Sequence, residues 1–116
     1  AVLSSKNLLE IQRSIGNVTV EEDVAKYIVE IVARTRTHDR VRQGASPRGT
    51  IALNRASQAL ALIRGRTFAT PDDVKCLAAA TLAHRIVVAE EIASETELST
   101  PSLIIEEILN SIEVPV

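Results

Sequence analysis

The spacing of apolar residues along the chain predicts a series of amphipathic helices. The clearest pattern lies between residues 20 and 36, where apolar side chains recur at intervals of three and four residues, as on the buried face of a helix. This stripe consists of Val20, Val24, Tyr27, Ile28, Ile31 and Val32. Thr19 stands at the expected N-cap, and Glu22 follows three residues later as a capping-box partner. The pattern therefore predicts a helix that begins after Thr19 and ends near Arg36.

Start and stop signals define three more helices. Ser46 is a favourable N-cap residue, and Pro47 suits the first helical position because its missing N–H has no partner there. Gly65 can adopt the positive φ that ends a helix, so the central helix is predicted from Pro47 to about Gly65. A threonine N-cap followed by proline occurs twice more, at Thr70–Pro71 and Thr100–Pro101. These two pairs predict the starts of a fourth and a fifth helix.

The remaining segments connect or precede these helices. The chain from Ser4 or Ser5 to about Ile15 has helical spacing, and residues 66–69 are predicted to be extended. Phe68 is the single phenylalanine, and we expect it to fill a helix junction. Residues 89–99 are predicted to form an acidic surface loop. Five helices with short or polar connections predict an all-α fold, a small bundle that allows one very short extended pairing.

Composition narrows the class of protein. A chain of 116 residues forms one domain, and its richness in aliphatic residues and alanine, with no Trp or Met, favours helix-on-helix packing. The single Cys76 excludes an intrachain disulfide, and we expect it to be buried or half-buried within the fourth helix. No apolar run approaches the roughly 20 residues of a membrane span and no signal peptide is visible, so we expect a cytoplasmic location.

Enzymatic and metal-binding motifs are not found. The stretch from Gly44 to Gly49 has the glycine spacing of a phosphate-binding P-loop, but Thr50 and Ile51 stand where lysine and a hydroxyl residue are required. His38 and His84 are far apart, and neither has a second ligand at metal-binding spacing. No nucleophile can be paired with a base. We therefore predict no catalytic residue and no metal site.

Arginines provide the candidate binding chemistry. Arg34, Arg36, Arg40 and Arg42 form either a nucleic-acid patch or a solubilising loop, and the net charge of −2 favours the second interpretation. Arg48 is predicted to lie in the first turn of the central helix, beside unpaired amides and the positive end of the helix dipole. Such a position attracts phosphate. The residues alone leave open whether Arg48 is an anion ligand or an ordinary surface residue.

Several motifs together carry a family resemblance. The stretches concerned are Gly44–Arg48, Ala52–Leu53, Arg55–Ala56, Ala59–Leu62, Gly65–Arg66, Thr70–Lys75 and His84–Ile86, with Tyr27–Val29 and Thr35–Arg36 upstream. They resemble the C-terminal part of the MoxR family of AAA+ ATPases, which is a small helical lid that follows a nucleotide-binding α/β domain. The resemblance covers nearly the whole chain.

This resemblance implies an organisation and a set of partners. Residues 1–116 would be a single helical lid domain, a fragment of a larger ATPase whose nucleotide-binding domain is absent from this sequence. ATP and Mg²⁺ are expected in the full-length parent, which would hydrolyse ATP, and neither is expected to bind this fragment alone. The implied partners are the nucleotide-binding domain of the same chain, neighbouring subunits of an oligomeric ring and an unidentified client protein. A membrane partner is not expected, nor is nucleic acid.

The resemblance also implies a role for Arg48. It corresponds to the sensor-2 arginine, which reaches the γ-phosphate of ATP from the start of a lid helix, while Gly44, Ala45, Ser46 and Pro47 set its approach. The lid would thereby couple the nucleotide state to remodelling of the ring and its partners. Two alternatives remain at this point, a free-standing helical domain that binds nucleic acid through the arginine-rich loop, and a helical protein-interaction module in which Arg48 has no special role.

Overall fold

The computed structural model describes residues 4–89 and 100–115, which form five α-helices, a 3₁₀ turn and two short strands. The helices are α1 (Ser5–Gly16), α2 (Glu22–Thr37), α3 (Pro47–Ile63), α4 (Pro71–Leu82) and α5 (Thr100–Ser111), and the 3₁₀ turn is Ala83–Arg85. Strands β1 (Val41–Gln43) and β2 (Val87–Val88) pair in antiparallel fashion. The predicted all-α bundle with one very short extended pairing is confirmed.

One aliphatic core joins α2, α3, α4 and α5. Its fully buried members include Ile28, Ile31, Leu53, Leu82, Ile104 and Ile105. The stripe predicted for α2 is buried from Val24 to Val32, because those positions recur on one face of the helix. Burying an aliphatic side chain of this size contributes about 1.5–3 kcal/mol, so this shared core is a main source of the domain's stability.

Helix α3 packs most extensively against α4, and small residues make that packing possible. The buried positions of α3 are Gly49, Leu53, Ser57 and Ala61, which recur every fourth residue and so lie on one face. Ile51 and Ile63, two large apolar residues of the same helix, are instead exposed. The buried face of α3 is therefore a narrow one on which three of the four residues are small.

The caps of α3 and α4 form as predicted. Gly65 has φ of +81°, and it follows the last turn of α3. The Thr70 hydroxyl accepts a hydrogen bond from the Asp73 amide, and the Asp73 carboxylate accepts one from the Thr70 amide at 2.8 Å. This reciprocal arrangement is a capping box, which satisfies two otherwise unpaired donors at the start of α4.

The predicted capping box at Thr19 is wrong. The N-cap of α2 is Glu21, without a side-chain hydrogen bond, because Thr19 is engaged in a short parallel pairing with the segment after α3. The Thr19 amide donates to the Thr67 carbonyl at 2.9 Å, and the Ala69 amide donates to the Thr19 carbonyl at 2.9 Å. These bonds hold Thr19 extended, and the helix starts only at Glu22.

Two other expectations about burial are also wrong. Cys76 is exposed, because it lies midway between the buried Val74 and Ala78 and therefore points away from the core. The Phe68 side chain is 47% exposed, and its ring lies 5.7 Å from the Arg66 guanidinium carbon instead of filling a helix junction.

The structure leaves one predicted element untested. Apart from Ala89, the acidic loop predicted over residues 89–99 lies outside the described residues. Within the described parts of the chain, no helix has the length and apolar character required to cross a membrane.

Candidate functional site at the start of α3

Arg48 lies in the first turn of α3, as predicted. Its amide donates to the Ser46 hydroxyl at 3.2 Å, and the Gly49 amide donates to the Ser46 carbonyl at 2.8 Å. Pro47 occupies the first helical position. The Arg48 side chain is exposed, and its guanidinium has no hydrogen-bond or ion-pair partner within residues 4–89 and 100–115. A fixed backbone thus presents a cation that the described part of the protein does not neutralise.

The loop before α3 is attached to the end of α2 through the peptide groups of Ala45. The Ala45 amide donates to the Thr35 hydroxyl oxygen at 2.9 Å, and the Ala45 carbonyl accepts from Arg36 Nε at 2.9 Å. Ala45 itself is buried. Two consecutive residues of α2 therefore hold both polar groups of the residue that precedes the N-cap.

Gly44 brings this loop against α2 more closely than any other residue type would allow. A Cβ atom at Gly44 would lie 2.7 Å from the backbone N and Cα of Arg36. Real Cβ contacts are not this short, and backbone atoms cannot turn aside as a side chain can. Glycine is required here by the close approach of two backbone segments.

The opposite side of the first turn packs against the end of α4. Gly49 is buried, and a Cβ atom there would lie 3.2 Å from Leu82 Cδ2 and 3.7 Å from Arg85 Cδ. Arg85 donates from Nε to the Thr81 carbonyl at 3.2 Å. The start of α3 is therefore enclosed by the ends of two other helices, which leaves it little freedom to tilt.

Thr35 is the site residue for which the residue pattern alone gave no role. It is completely buried, its hydroxyl donates to the Val32 carbonyl at 2.6 Å, and its oxygen accepts from Ala45. A signal was present in the sequence, since Thr35 continues the buried face of α2 four residues after Ile31. A hydroxyl on an apolar stripe must find a partner, because burying it unpaired is costly.

Two arginines of the cluster between residues 34 and 42 make contacts within the fold. Arg34 pairs with Glu30 at 2.9 Å and donates to the Ser111 hydroxyl at 3.1 Å, while Arg36 is bound to Ala45. The cavity of about 360 Å³ beside Arg34 is also lined by the acidic side chains of Asp39 and Glu107. This mixture of signs lacks the uniform positive field that nucleic-acid surfaces show.

The histidines do not form a metal site with the neighbours described. His38 pairs with Glu107 at 3.3 Å, and His84 is exposed in the 3₁₀ turn. Among residues 4–89 and 100–115, no group of three or more His, Cys, Asp or Glu side chains is placed to hold an ion.

A sequence profile identifies the family of this chain. The profile of the AAA lid domain matches residues 33–108, which is more than half of the chain and includes α3, α4 and the whole Gly44–Arg48 loop. The chain belongs to the AAA lid domain family.

Its relatives include MoxR proteins, which confirms the resemblance to the lid of MoxR-family AAA+ ATPases. The uncharacterized protein YeaC of Bacillus subtilis is 40% identical over 115 residues, which are 99% of this chain and 35% of YeaC. Chaperone MoxR1 of Mycobacterium tuberculosis is 31% identical over 123 residues, 98% of this chain and 32% of MoxR1.

A solved structure shows the same fold. A crystal structure from Cytophaga hutchinsonii, provisionally described as that of an ATPase, matches with a TM-score of 0.84 and 33% identity. The match covers 96% of this chain and 36% of the other. The chain thus spans about a third of the length of the relatives that it matches.

Proposed function

We propose that this domain is the nucleotide-sensing lid of a MoxR-like AAA+ ATPase, in which Arg48 binds the γ-phosphate of ATP as the sensor-2 residue. One observation carries the proposal. The Arg48 side chain is exposed and has no partner among the described residues, and it extends from a helix start that Ser46 caps. The family membership supports it, since the relatives include a protein named a chaperone of the MoxR family.

The chemistry of arginine suits this role. A guanidinium can bond two phosphate oxygens at once in a planar geometry that lysine does not reproduce. Hydrolysis develops charge around the transferred phosphoryl group, so a cation already fixed near that group lowers the barrier. The helix dipole of α3 adds a partial positive charge at the same end, while the Arg48 and Gly49 amides themselves are bonded to Ser46.

The rest of the ATPase lies outside this domain. In the proposal, residues 1–116 are the lid of a longer chain whose nucleotide-binding domain supplies the phosphate-binding loop and the Mg²⁺ ligands. The lid closes over ATP through Arg48 and passes the nucleotide state to neighbouring subunits of a cytoplasmic ring. That ring remodels a client protein, as the chaperone name of MoxR1 suggests.

The test is substitution of Arg48 in the full-length ATPase. Arg48→Ala should lower turnover at least about tenfold, equivalent to roughly 1.4 kcal/mol of barrier, and Arg48→Lys should recover part of the loss. ATP affinity should fall more than ADP affinity, because the lost contact is to the γ-phosphate. The matched control is Arg55→Ala, which removes another exposed arginine about two turns further along α3.

The measurements are steady-state turnover and titrations of ATP and ADP on a hydrolysis-deficient background. Turnover that is unchanged in Arg48→Ala contradicts the proposal. The same holds if ATP and ADP affinities fall equally, or if Arg55→Ala has the same effect as Arg48→Ala.

A further inference from the structure

The contact between α2 and the loop before α3 has a consequence for Arg48. Between Ala45, whose polar groups are bound to α2, and Arg48 there are only the N-cap Ser46 and Pro47. Pro47 has its φ fixed by its ring, and the Ser46 hydroxyl is bonded to the Arg48 amide. The backbone of Arg48 therefore has little freedom to rotate relative to Ala45 and the end of α2.

The bond between Thr35 and Ala45 is also shielded from water. Thr35 and Ala45 are buried, so water cannot replace the bond between the Ala45 amide and the Thr35 hydroxyl if that hydroxyl is removed. The loop is held to α2 by this bond and by the bond from Arg36 to the Ala45 carbonyl, and Gly44 lies directly against the Arg36 backbone. Loss of either bond is therefore expected to displace or loosen the loop.

We infer that Thr35 and Arg36 are positioning residues for Arg48, and that they make nucleotide sensing depend on the position of the end of α2. The inference rests on the proposed function, because it assigns these residues to the sensor. The same part of α2 is bonded to α5 through Arg34 and Ser111 at 3.1 Å and through His38 and Glu107 at 3.3 Å. A shift of α5 relative to α2 would thus be transmitted to the Gly44–Arg48 loop through the end of α2.

The first test compares two substitutions of Thr35 in the full-length ATPase. Thr35→Val keeps the shape of the side chain and removes both hydrogen bonds, whereas Thr35→Ser keeps the hydroxyl. We expect Thr35→Val to lower kcat at least about threefold and to weaken ATP binding more than ADP binding, since small misplacements of a charged group cost large factors in rate. Thr35→Ser should restore turnover to within about twofold of the wild type.

A double-mutant cycle separates positioning from simple destabilisation. If Thr35 acts through Arg48, Thr35→Val should cause less than about a twofold further loss in a protein that already carries Arg48→Ala. The matched control is Ser57→Ala, which removes another wholly buried hydroxyl, one without a hydrogen-bond partner in the described residues. It should leave kcat and the ratio of ATP to ADP affinity unchanged.

Arg36→Met provides a second route if Thr35→Val fails to fold. Methionine keeps an unbranched stem against Gly44 but cannot donate to the Ala45 carbonyl, and the Arg36 residue is exposed, so folding should be preserved. We expect the same pattern as for Thr35→Val, a lower kcat and a selective loss of ATP affinity, with thermal unfolding confirming that the protein is folded.

The outcomes distinguish the two proposals. If Arg48→Ala reduces turnover while folded Thr35→Val and Arg36→Met do not, the positioning inference is overturned and the sensor role stands. Equal losses from Thr35→Val with and without Arg48, or equal losses of ATP and ADP affinity, also overturn it. If Arg48→Ala itself changes nothing, the sensor proposal fails.

Discussion

The Arg66 guanidinium binds both carboxylate oxygens of Asp73, with Nη1–Oδ2 at 2.8 Å and Nη2–Oδ1 at 2.7 Å. Arg64 adds a contact of 3.0 Å to Oδ1, and the Thr70 amide donates to Oδ2. The Asp73 side chain has no exposed area, so this group is a buried carboxylate that is fully bonded. The cluster fixes the turn between α3 and α4, at the end of α3 opposite to Arg48.

Removal of the Asp73 carboxylate should destabilise the domain strongly. Asp73→Ala takes away the capping box and leaves two arginines without their partner, so we expect a loss of about 3 kcal/mol or more in the free energy of unfolding. Asp72→Ala, which removes an exposed carboxylate from the same helical turn, should cost under about 1 kcal/mol. Urea denaturation of both variants measures the difference, and equal losses would contradict a structural role specific to Asp73.

The same cluster predicts acid sensitivity. The hydrogen bonds from Arg66, with support from the Thr70 amide, lower the pKa of Asp73 from 3.8 to about 2 despite its burial. The unfolded state therefore binds the proton more readily, and the stabilisation, on the order of 2 kcal/mol, is present above about pH 4 and is lost as the pH falls towards 2.

Asp73→Asn is the variant that isolates this effect. Its stability deficit relative to the wild type should be largest near neutral pH and should shrink as the pH falls from about 5 to about 2. Urea denaturation at several pH values measures the deficit. A deficit that stays constant over this range would show that Asp73 does not have a lowered pKa in the folded protein.

Substitution by alanine should destabilise the domain at Gly65 but not at Gly16. Gly65 has φ of +81°, so Gly65→Ala should cost about 1–2 kcal/mol from the strain of the left-handed conformation. Gly16 lies inside α1 without positive φ, and a Cβ there meets no atom within 4 Å. Gly16→Ala should be neutral or stabilise by up to about 1 kcal/mol. Thermal unfolding of both variants checks the sign.

Substitution on the buried face of α2 should lower the free energy of unfolding far more than substitution of Arg48. Ile28 is 1% exposed and its neighbour Val29 is 54% exposed, so Ile28→Ala should cost about 2–5 kcal/mol and Val29→Ala under about 0.5 kcal/mol. Arg48→Ala should also change stability by less than about 0.5 kcal/mol. If chemical denaturation shows Arg48→Ala to be as costly as Ile28→Ala, Arg48 supports the fold and is not a free sensor.

Under the proposed function, ATP hydrolysis is expected only from a longer ATPase that includes this domain and not from the domain alone. Phosphoryl transfer requires a phosphate cradle, a metal ion and a positioned water, and the sequence offers no P-loop lysine after Gly49. The isolated domain should therefore show no ATP turnover above a buffer control. Turnover that copurifies with the folded fragment through two different chromatographic steps would contradict the lid assignment.

Sequence reasoning succeeded where the interactions are local. The Ser46 N-cap, the prolines at the first helical positions, the positive φ of Gly65 and the stripe of α2 all depend on residues within a few positions of one another. It also placed Arg48 in a capped first turn. It failed at Thr19 and Phe68, because the sequence does not show which segment of the chain lies opposite. The expectation for Cys76 was also wrong, although its spacing from Val74 and Ala78 places it on the outer face of α4.

The sequence by itself determined the helices, their caps and the position of Arg48 at the start of α3. Only the tertiary structure decided that Thr35 and Arg36 hold the Ala45 peptide groups, that Gly44 touches the Arg36 backbone, and that Asp73 is buried between two arginines. The physical reason is distance along the chain. Helix caps are satisfied within three or four residues, whereas a buried hydroxyl or carboxylate accepts whichever donor the packing of other helices brings to it.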